Sequence, residues 1–278
     1  MSAPIQPGST VRRLFAWPPR PFPARQVAIV RIHGPITGGG RSAEFVELLR
    51  HIRESSKVPA VVLDIDSPGG SATASDDLFL AIQRLAKAKP VVAAIRGVGA
   101  SGSYLAALGA RRIIANPTAV VGSIGVISVS PHLPALLERI GVSVAETRAG
   151  RLKGMGSPWR EDTEEERAKE QALVDGFYEA FVDRVAEGRG MPRARAVEIA
   201  TGEVWLAKQA IELGLVDEIG DIERAVEVAA EMAGVPARAA PVRLRRPFFA
   251  RLIDRFAMRL ASSIADEVEL RTWDRFRF

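Results

Sequence analysis

Residues 59–70 read PAVVLDIDSPGG, and residues 90–103 read PVVAAIRGVGASGS. Each stretch is a short apolar run that ends in a glycine-rich turn, which is typical of a buried strand followed by a loop. A helical pattern from about Ser75 to Lys87 lies between them, so the order is strand, helix, strand. Together with a strand predicted over 26–32, this order indicates an α/β fold with a mainly parallel sheet and flanking helices.

The second half of the chain is predicted to be mostly helical. Thr163 and the three glutamates after it form a capping-box start with an acidic first turn, which suits the helix dipole. Helical periodicity covers residues 130–140, 163–187, 192–200, 207–213 and 221–233.

The charge of the chain is concentrated at its two ends. The 278 residues carry a formal net charge of +5 and include no cysteine. Residues 1–26 hold four arginines and no acid, and residues 237–278 hold ten arginines and five acids. The body between them is therefore acidic, which argues against a nucleic-acid-binding domain. The lack of cysteine excludes disulfides, thiolate metal sites and a cysteine nucleophile.

We predict three segments. Residues 1–25 form a flexible N-terminal arm rich in proline and arginine, and residues 26–235 form the main domain. Residues 236–278 hold a linker over 236–247 and a basic amphipathic helix over 248–264. The apolar face of that helix could dock onto the body of the protein or onto another protomer. Alternatively, the helix could lie on an anionic membrane surface. No signal peptide or membrane span is recognised, so we expect a cytoplasmic protein, with peripheral contact at the inner face of the membrane as an option.

Ser101 is the leading candidate for a nucleophile. It lies between small residues at the predicted start of a helix, so its hydroxyl would be unobstructed. A nucleophilic serine needs a base and an oxyanion hole. The amide of Gly102 and a glycine amide from the turn at 66–70 could form that hole, since glycines after parallel strands lie where ligands bind.

The choice of base is narrowed by composition. His132 is the only histidine after Ser101, and no acid lies between them, so the α/β-hydrolase order fails. A triad with His33 or His51 has no motif to support it. A serine–lysine dyad is the remaining known solution. The chain has 32 arginines and six lysines, and arginine cannot act as a base because it stays protonated.

Lys153 is the lysine that best fits this role. It lies in the glycine-rich loop 150–158, and three arginines nearby in sequence (148, 151 and 160) would oppose its charge and lower its pKa. The other five lysines are predicted at helix ends or on solvated helix surfaces.

With these residues in this order, the chain resembles the signal peptide peptidase A (protease IV) serine–lysine proteases of the Clp protease/crotonase superfamily. The likeness covers roughly residues 26–233 and carries five motifs in the family's order. They are DSPGG at 66–70, ASGSY at 100–104, VGSIGV at 121–126, the lysine loop at 150–158, and a C-terminal signature of GEVW at 202–205 and GLVDEIG at 214–220.

The resemblance implies a Clp protease/crotonase-like fold and a serine endopeptidase that needs no metal or cofactor. Its substrates would be peptides or unfolded polypeptides, including signal-peptide-like segments, and it would act as a homo-oligomer in which the lysine can come from a neighbouring protomer. The implied roles are Ser101 as nucleophile, Lys153 as general base, Ser123 as the residue that orients the lysine, Gly70 and Gly102 as the oxyanion hole, and Gly69 in substrate binding.

Some features depart from the family pattern. An acidic residue usually follows the lysine, where this chain has Gly154, and a second glycine often comes after the nucleophile, where this chain has Ser103. The membrane anchor common in the family is not recognised. Two alternatives stay open: a crotonase-type acyl-CoA enzyme, which would use the oxyanion hole without Ser101 or Lys153, and a catalytically silent assembly scaffold. A Clp-type Ser-His-Asp triad fits poorly, because its histidine would fall near Val126.

Overall fold

The computed structural model describes residues 26–242, in which strands and helices alternate along the chain. The strands are β1 Val27–His33, β2 Val61–Ser67, β3 Val91–Ala100, β4 Arg112–Ala115, β5 Val120–Gly122, β6 Val204–Leu206, β7 Glu218–Ile219 and β8 Ala239–Val242. The helices are α1 Gly40–Glu54, α2 Ala72–Ala88, α3 Gly102–Ala107, α4 Pro134–Arg139, α5 Glu164–Arg189, α6 Arg193–Ile199, α7 Ala207–Glu212 and α8 Ile222–Ala233.

These strands form a single sheet that is parallel except at one edge. Its main path runs β6-β5-β3-β2-β1-β8, while β4 pairs with β3 and with β7. Only β5 and β6 are antiparallel among the described pairs. The prediction of a mainly parallel α/β sheet with flanking helices is confirmed.

Both faces of the central strands are covered, which explains why β2 and β3 are apolar runs rather than alternating ones. On one face, Val62 and Ala94 belong to a cluster that includes Ala225 and Ala229 of α8. Helices α2 and α3 pack on the opposite face, where Phe79 is fully buried. This burial fixes the strands whose carboxyl ends carry the predicted motifs.

Strand β3 changes partner halfway along its length. Residues 92–95 pair with β4, and residues 98–100 pair with β5. The register against β2 also shifts, because Ile65 faces Ile95 whereas Ser67 faces Gly99. The glycines at 97–102 predicted a turn directly after the apolar run, but the strand continues through this bulge to Ala100.

Two carboxylates of β2 hold the β3 bulge. Asp64, whose side chain is almost fully buried, accepts hydrogen bonds from Nε and an Nη of Arg96 at 3.1 and 2.8 Å. One Oδ of Asp66 accepts the amide of Val98 at 3.0 Å. The bulge is thus fixed by side-chain contacts that strand periodicity does not reveal.

Two predicted boundaries are corrected. The segment 236–247, predicted as a linker, contains β8, and the parallel pairing of Val30 with Val242 carries the sheet past residue 235. The helix predicted over 130–140 is reduced to α4, because residues 130–133 are not helical and the helix begins at Pro134. The N-terminal arm predicted over 1–25 and the helix predicted over 248–264 lie outside the described residues. Within 26–242, no helix has both the length and the apolarity to cross a membrane.

Lys89 is not the solvated helix-end lysine that the sequence predicted. Its amine donates hydrogen bonds to the carbonyls of Ile52 and Val58, at 2.7 and 2.9 Å, and to that of Ser55. Burial lowers the pKa of Lys89. The three donors of the ammonium group tie the end of α1 to the start of β2 and the end of α2.

Replacing Lys89 with methionine should destabilise the protein, because three carbonyls around a partly buried amine would lose their donor. We expect the free energy of unfolding to fall by about 1–3 kcal/mol. Chemical denaturation followed by circular dichroism measures this, with Lys87→Met on the exposed side of α2 as the matched control. Equal stability of the two variants would contradict a structural role for Lys89.

Candidate active site

Ser101 lies at the turn between β3 and α3 in a strained backbone conformation. Its φ of 52° is in the region that favours glycine, and holding a non-glycine residue there costs on the order of 1–3 kcal/mol. The amide of Ser101 donates to the carbonyl of Gly122 at 2.8 Å, which fixes the turn against β5. A serine held on a strained strand-to-helix turn is an arrangement that hydrolases use to present a nucleophile.

The two glycine-rich turns lie against each other beside Ser101. A Cβ added to Gly69 would be 2.6 Å from the amide nitrogen of Gly102 and 2.9 Å from the Cβ of Ser101. A Cβ added to Gly102 would collide with Oγ of Ser75 and lie 3.4 Å from the amide nitrogen of Gly70. Glycine is therefore required at both turns for this close approach.

Two amides at this junction are available to a ligand. Among residues 26–242, the N–H groups of Gly70 and Gly102 donate to no other atom. The residues around Gly70 are fixed, because Ile36 donates to the carbonyl of Gly69 at 2.7 Å and accepts from the amide of Ser71 at 2.8 Å. Two fixed, unused donors next to a serine can hold an oxyanion.

Ser123 lies at the corresponding point of the neighbouring strand. Ala100 pairs with Gly122, so Ser101 and Ser123 each follow a residue of this pair. Ser123 also has a positive φ, 50°, and its amide donates to the carbonyl of Glu203 at 2.6 Å. The structure therefore places Ser101 and Ser123 side by side at the ends of adjacent strands.

Ser103 contributes a contact that sequence reasoning missed. Its buried hydroxyl lies 2.6 Å from the carbonyl of Ser67 and 2.9 Å from that of Ala100, so it links α3 to the end of β2. The sequence showed only that Ser103 stands where the family often has a glycine. No local pattern could have revealed this bond, because Ser67 is 36 residues away in sequence.

Lys153 lies in a separate part of the structure. It is exposed on the segment 126–163, which we call the arm, and its amide donates to the carbonyl of Gly150 at 3.1 Å. Within the described part of the chain, its amine makes no hydrogen bond or ion pair, and no hydrogen bond joins it to Ser101 or Ser123. One chain therefore groups the serines and glycines of the predicted site without joining Lys153 to them.

A network of charged side chains joins the arm to Glu166 on the first turn of α5. Glu166 is buried, and its two carboxylate oxygens accept hydrogen bonds from the two Nη atoms of Arg160 at 2.7 and 2.5 Å. Glu166 also completes a capping box with Thr163. Arg148 lies 3.4 Å from Glu146. The arginines expected to oppose the charge of Lys153 are thus paired with acids, which corrects that part of the prediction.

The histidines contact carboxylates and do not meet Ser101. His33 lies 3.3 Å from Asp64, and His132 lies within 4 Å of Glu161 and Asp162. His51 pairs with a glutamate on its own helix. No hydrogen bond joins any of them to Ser101 among the described residues, and in the same range no group of three or more histidines and acids is placed to hold a metal ion.

Glu166 should make stability depend on pH. Hydrogen bonds from Arg160 and Thr163 lower the pKa of Glu166 from 4.5 to about 2. Because the folded-state pKa is below the unfolded one, ionised Glu166 stabilises the fold above about pH 4.5, and this contribution is lost as the pH falls towards 2. We expect the free energy of unfolding to fall more steeply between these values in the wild type than in Glu166→Gln, as measured by denaturation at several pH values. Parallel curves would contradict this expectation.

Comparison with known proteins finds a matching family and several relatives of this chain. Residues 83–236 match the family described as Peptidase family S49. A candidate protease of Synechocystis sp. is 37% identical over 219 residues, which is 79% of this chain and 78% of that protein. The chloroplastic serine protease SPPA of Arabidopsis thaliana is 36% identical over 213 residues, 75% of this chain but 32% of that longer protein.

A solved structure shares the fold. A mutant of the 1510-N membrane-bound stomatin-specific protease superposes with a TM-score of 0.54, covering 80% of this chain and 99% of that one. The two sequences are 17% identical, so this likeness concerns the fold alone.

Proposed function

Because the chain belongs to peptidase family S49 and is a serine protease related to SPPA, we propose that it hydrolyses unstructured or signal-peptide-like polypeptides through a Ser101–Lys153 dyad. The observation that supports this most strongly is the pair of unused amides, Gly70 and Gly102, beside a serine on a strained turn. A crotonase-type enzyme would use the same amides but would have no need of this strained serine.

The proposed reaction proceeds through an acyl-enzyme. Neutral Lys153 takes the proton of Ser101 while Oγ attacks the peptide carbonyl, and Ser123 orients the lysine amine. The Gly70 and Gly102 amides stabilise the oxyanion, and each donor of this kind is typically worth about 10²- to 10³-fold in rate. Lys153 then protonates the leaving amine, and water hydrolyses the ester. Substrate backbone would lie along the turn that contains Gly69.

Removing either member of the dyad should abolish hydrolysis. We expect Ser101→Ala and Lys153→Ala to lower kcat on a fluorogenic unstructured peptide by at least about a thousandfold, because nucleophile and base act as a unit. Lys208→Ala, an exposed lysine of α7, is the matched control and should keep full activity. Undiminished turnover in either dyad variant would overturn the proposal.

A fluorophosphonate probe separates this reaction from the two other readings of the sequence. The dyad predicts a covalent adduct on Ser101 that is lost in Lys153→Ala, as mass spectrometry would show. Coenzyme A binding without an adduct would indicate a crotonase-type enzyme. A scaffold would give neither an adduct nor peptide cleavage.

We further propose that the active form is a homo-oligomer. The arm and the first half of α5 leave many apolar side chains exposed, and surfaces of this kind are usually buried by a partner. Ile127 and Val129 are 86% and 83% exposed, and Leu173 and Phe177 of α5 are 45% and 43% exposed. A second copy packed here would bury this surface and would bring the exposed Lys153 of one chain to the Ser101 turn of another.

Charging this surface should separate the subunits. We expect the double variant Leu173→Glu/Phe177→Glu to become monomeric in light scattering and to lose peptidase activity while keeping its circular dichroism. A mixture of Ser101→Ala and Lys153→Ala chains, refolded together, should regain up to about a quarter of wild-type activity, because some sites combine both intact residues across a contact between copies. An active monomer, or a mixture with no activity, would contradict assembly of the site between chains.

A further inference from the structure

The buried ion pair between Arg160 and Glu166 reaches the loop that carries Lys153. One Nη of Arg160 donates to Glu166 at 2.5 Å and also to the carbonyl of Gly154 at 2.6 Å. Gly154 directly follows Lys153 in sequence. Its carbonyl accepts a second bond, from Oγ of Ser157 at 2.5 Å. The peptide unit that follows Gly154, one residue beyond Lys153, is therefore tied to α5 through a single guanidinium group.

The space around Gly154 is filled by the same charged network. A Cβ at this position would meet Oε1 of Glu146, and would lie 2.7 Å from an Nη of Arg148 and 2.8 Å from an Nη of Arg160. Glu146 is in turn fixed by the indole N–H of Trp159, which donates to it at 3.0 Å. With a larger residue at 154, the ends of the Glu146, Arg148 and Arg160 side chains would have to move, and glycine avoids this displacement.

The arrangement does more than cap a helix. The capping box of α5 needs only Thr163 and a side chain such as glutamate or glutamine at 166. Arg160 adds nothing to that box: its two Nη atoms also donate to the carbonyls of Gly154 and Glu161 in the arm, while its buried Nε has no hydrogen-bond partner among the described residues. A buried ion pair contributes little net stability, because desolvation offsets the Coulombic gain, but it fixes geometry tightly. The Arg160 fork therefore sets the position of the arm loop on a rigid helix.

We propose that Arg160 and Glu166 are positioning residues for the general base: they fix the backbone after Lys153 so that its amine reaches the nucleophile. This inference rests on the proposed function, since it assigns a role in holding Lys153. A base displaced by about 1 Å can lower the rate on the order of 100-fold. A loose loop would also leave the amine in water instead of holding it, partly desolvated, against the nucleophile.

The test uses the full chain in its assembled state. We expect Arg160→Gln to lower kcat by about 10- to 100-fold with little change in KM, and to move the rising limb of the pH–rate profile to higher pH. Arg160→Lys should rescue only part of kcat, because lysine keeps the charge but not the two-pronged contact. Arg224→Gln, which removes a similar arginine–glutamate pair between α8 and β7, is the control and should leave kcat and the pH limb unchanged.

A second variant distinguishes the loss of positioning from misfolding. Gly154→Ala keeps both charged residues but inserts a methyl group 2.8 Å from an Nη of Arg160, so that the guanidinium must shift. We expect it to reproduce the drop in kcat and the shifted pH limb while folding and assembly, checked by circular dichroism and light scattering, stay intact. The positioning role would be overturned if folded, assembled Arg160→Gln or Gly154→Ala kept the wild-type kcat and the wild-type rising limb of the pH–rate profile.

The two proposals fail in different ways. If Ser101→Ala and Lys153→Ala are inactive and the Arg160 and Gly154 variants match the wild type, the dyad stands and the positioning role is wrong. If Lys153→Ala retains full turnover, the dyad itself is wrong, whatever the Arg160 variants do.

Discussion

The geometry of the site depends on the bulge in β3. Two acidic side chains of β2 hold it, Asp64 through Arg96 and Asp66 through the Val98 amide. The bulge lets one strand pair first with β4 and then with β5. Without that change of partner, the end of β3 would not run beside Gly122, and Ser101 would not lie between the amide of Gly70 and the strand that carries Ser123.

The same bulge shows what the sequence could and could not reveal. The apolar runs of β2 and β3 and their glycine-rich ends are local patterns, and they predicted the sheet, the two turns and the serine. The contacts of Asp64 and Asp66 join residues 32 apart in sequence, and a strand pattern carries no trace of them. A turn was predicted over 97–102 because glycines there suggest a loop, although they are needed for packing: a Cβ at Gly97 would lie 2.8 Å from Asp66.

Predictions failed mainly where pairing over long distances overrides local composition. The segment around Pro241 resembles a linker, yet β1 offers a free edge and the chain pairs with it; an edge strand also tolerates proline. Charged residues were a second source of error. Lys89 was expected to meet solvent and Arg160 to oppose the charge of Lys153, since a sequence does not show which charges find partners inside the fold.

The site residues divide into two groups with different physical origins. Ser101, Ser123 and the glycines are set by strand pairing in the body, so they are rigid and could be grouped from motifs alone. Lys153 is set by hydrogen bonds within the arm, whose apolar side chains remain exposed in the single chain. A base carried on such a segment can be placed to within the tolerance of proton transfer only if the segment is itself rigid. The Arg160–Glu166 pair supplies that rigidity inside one chain, and burial of the exposed apolar surface would supply the remaining constraint between chains. Activity would then depend on assembly, because within one described chain no hydrogen bond joins Lys153 to Ser101 or Ser123.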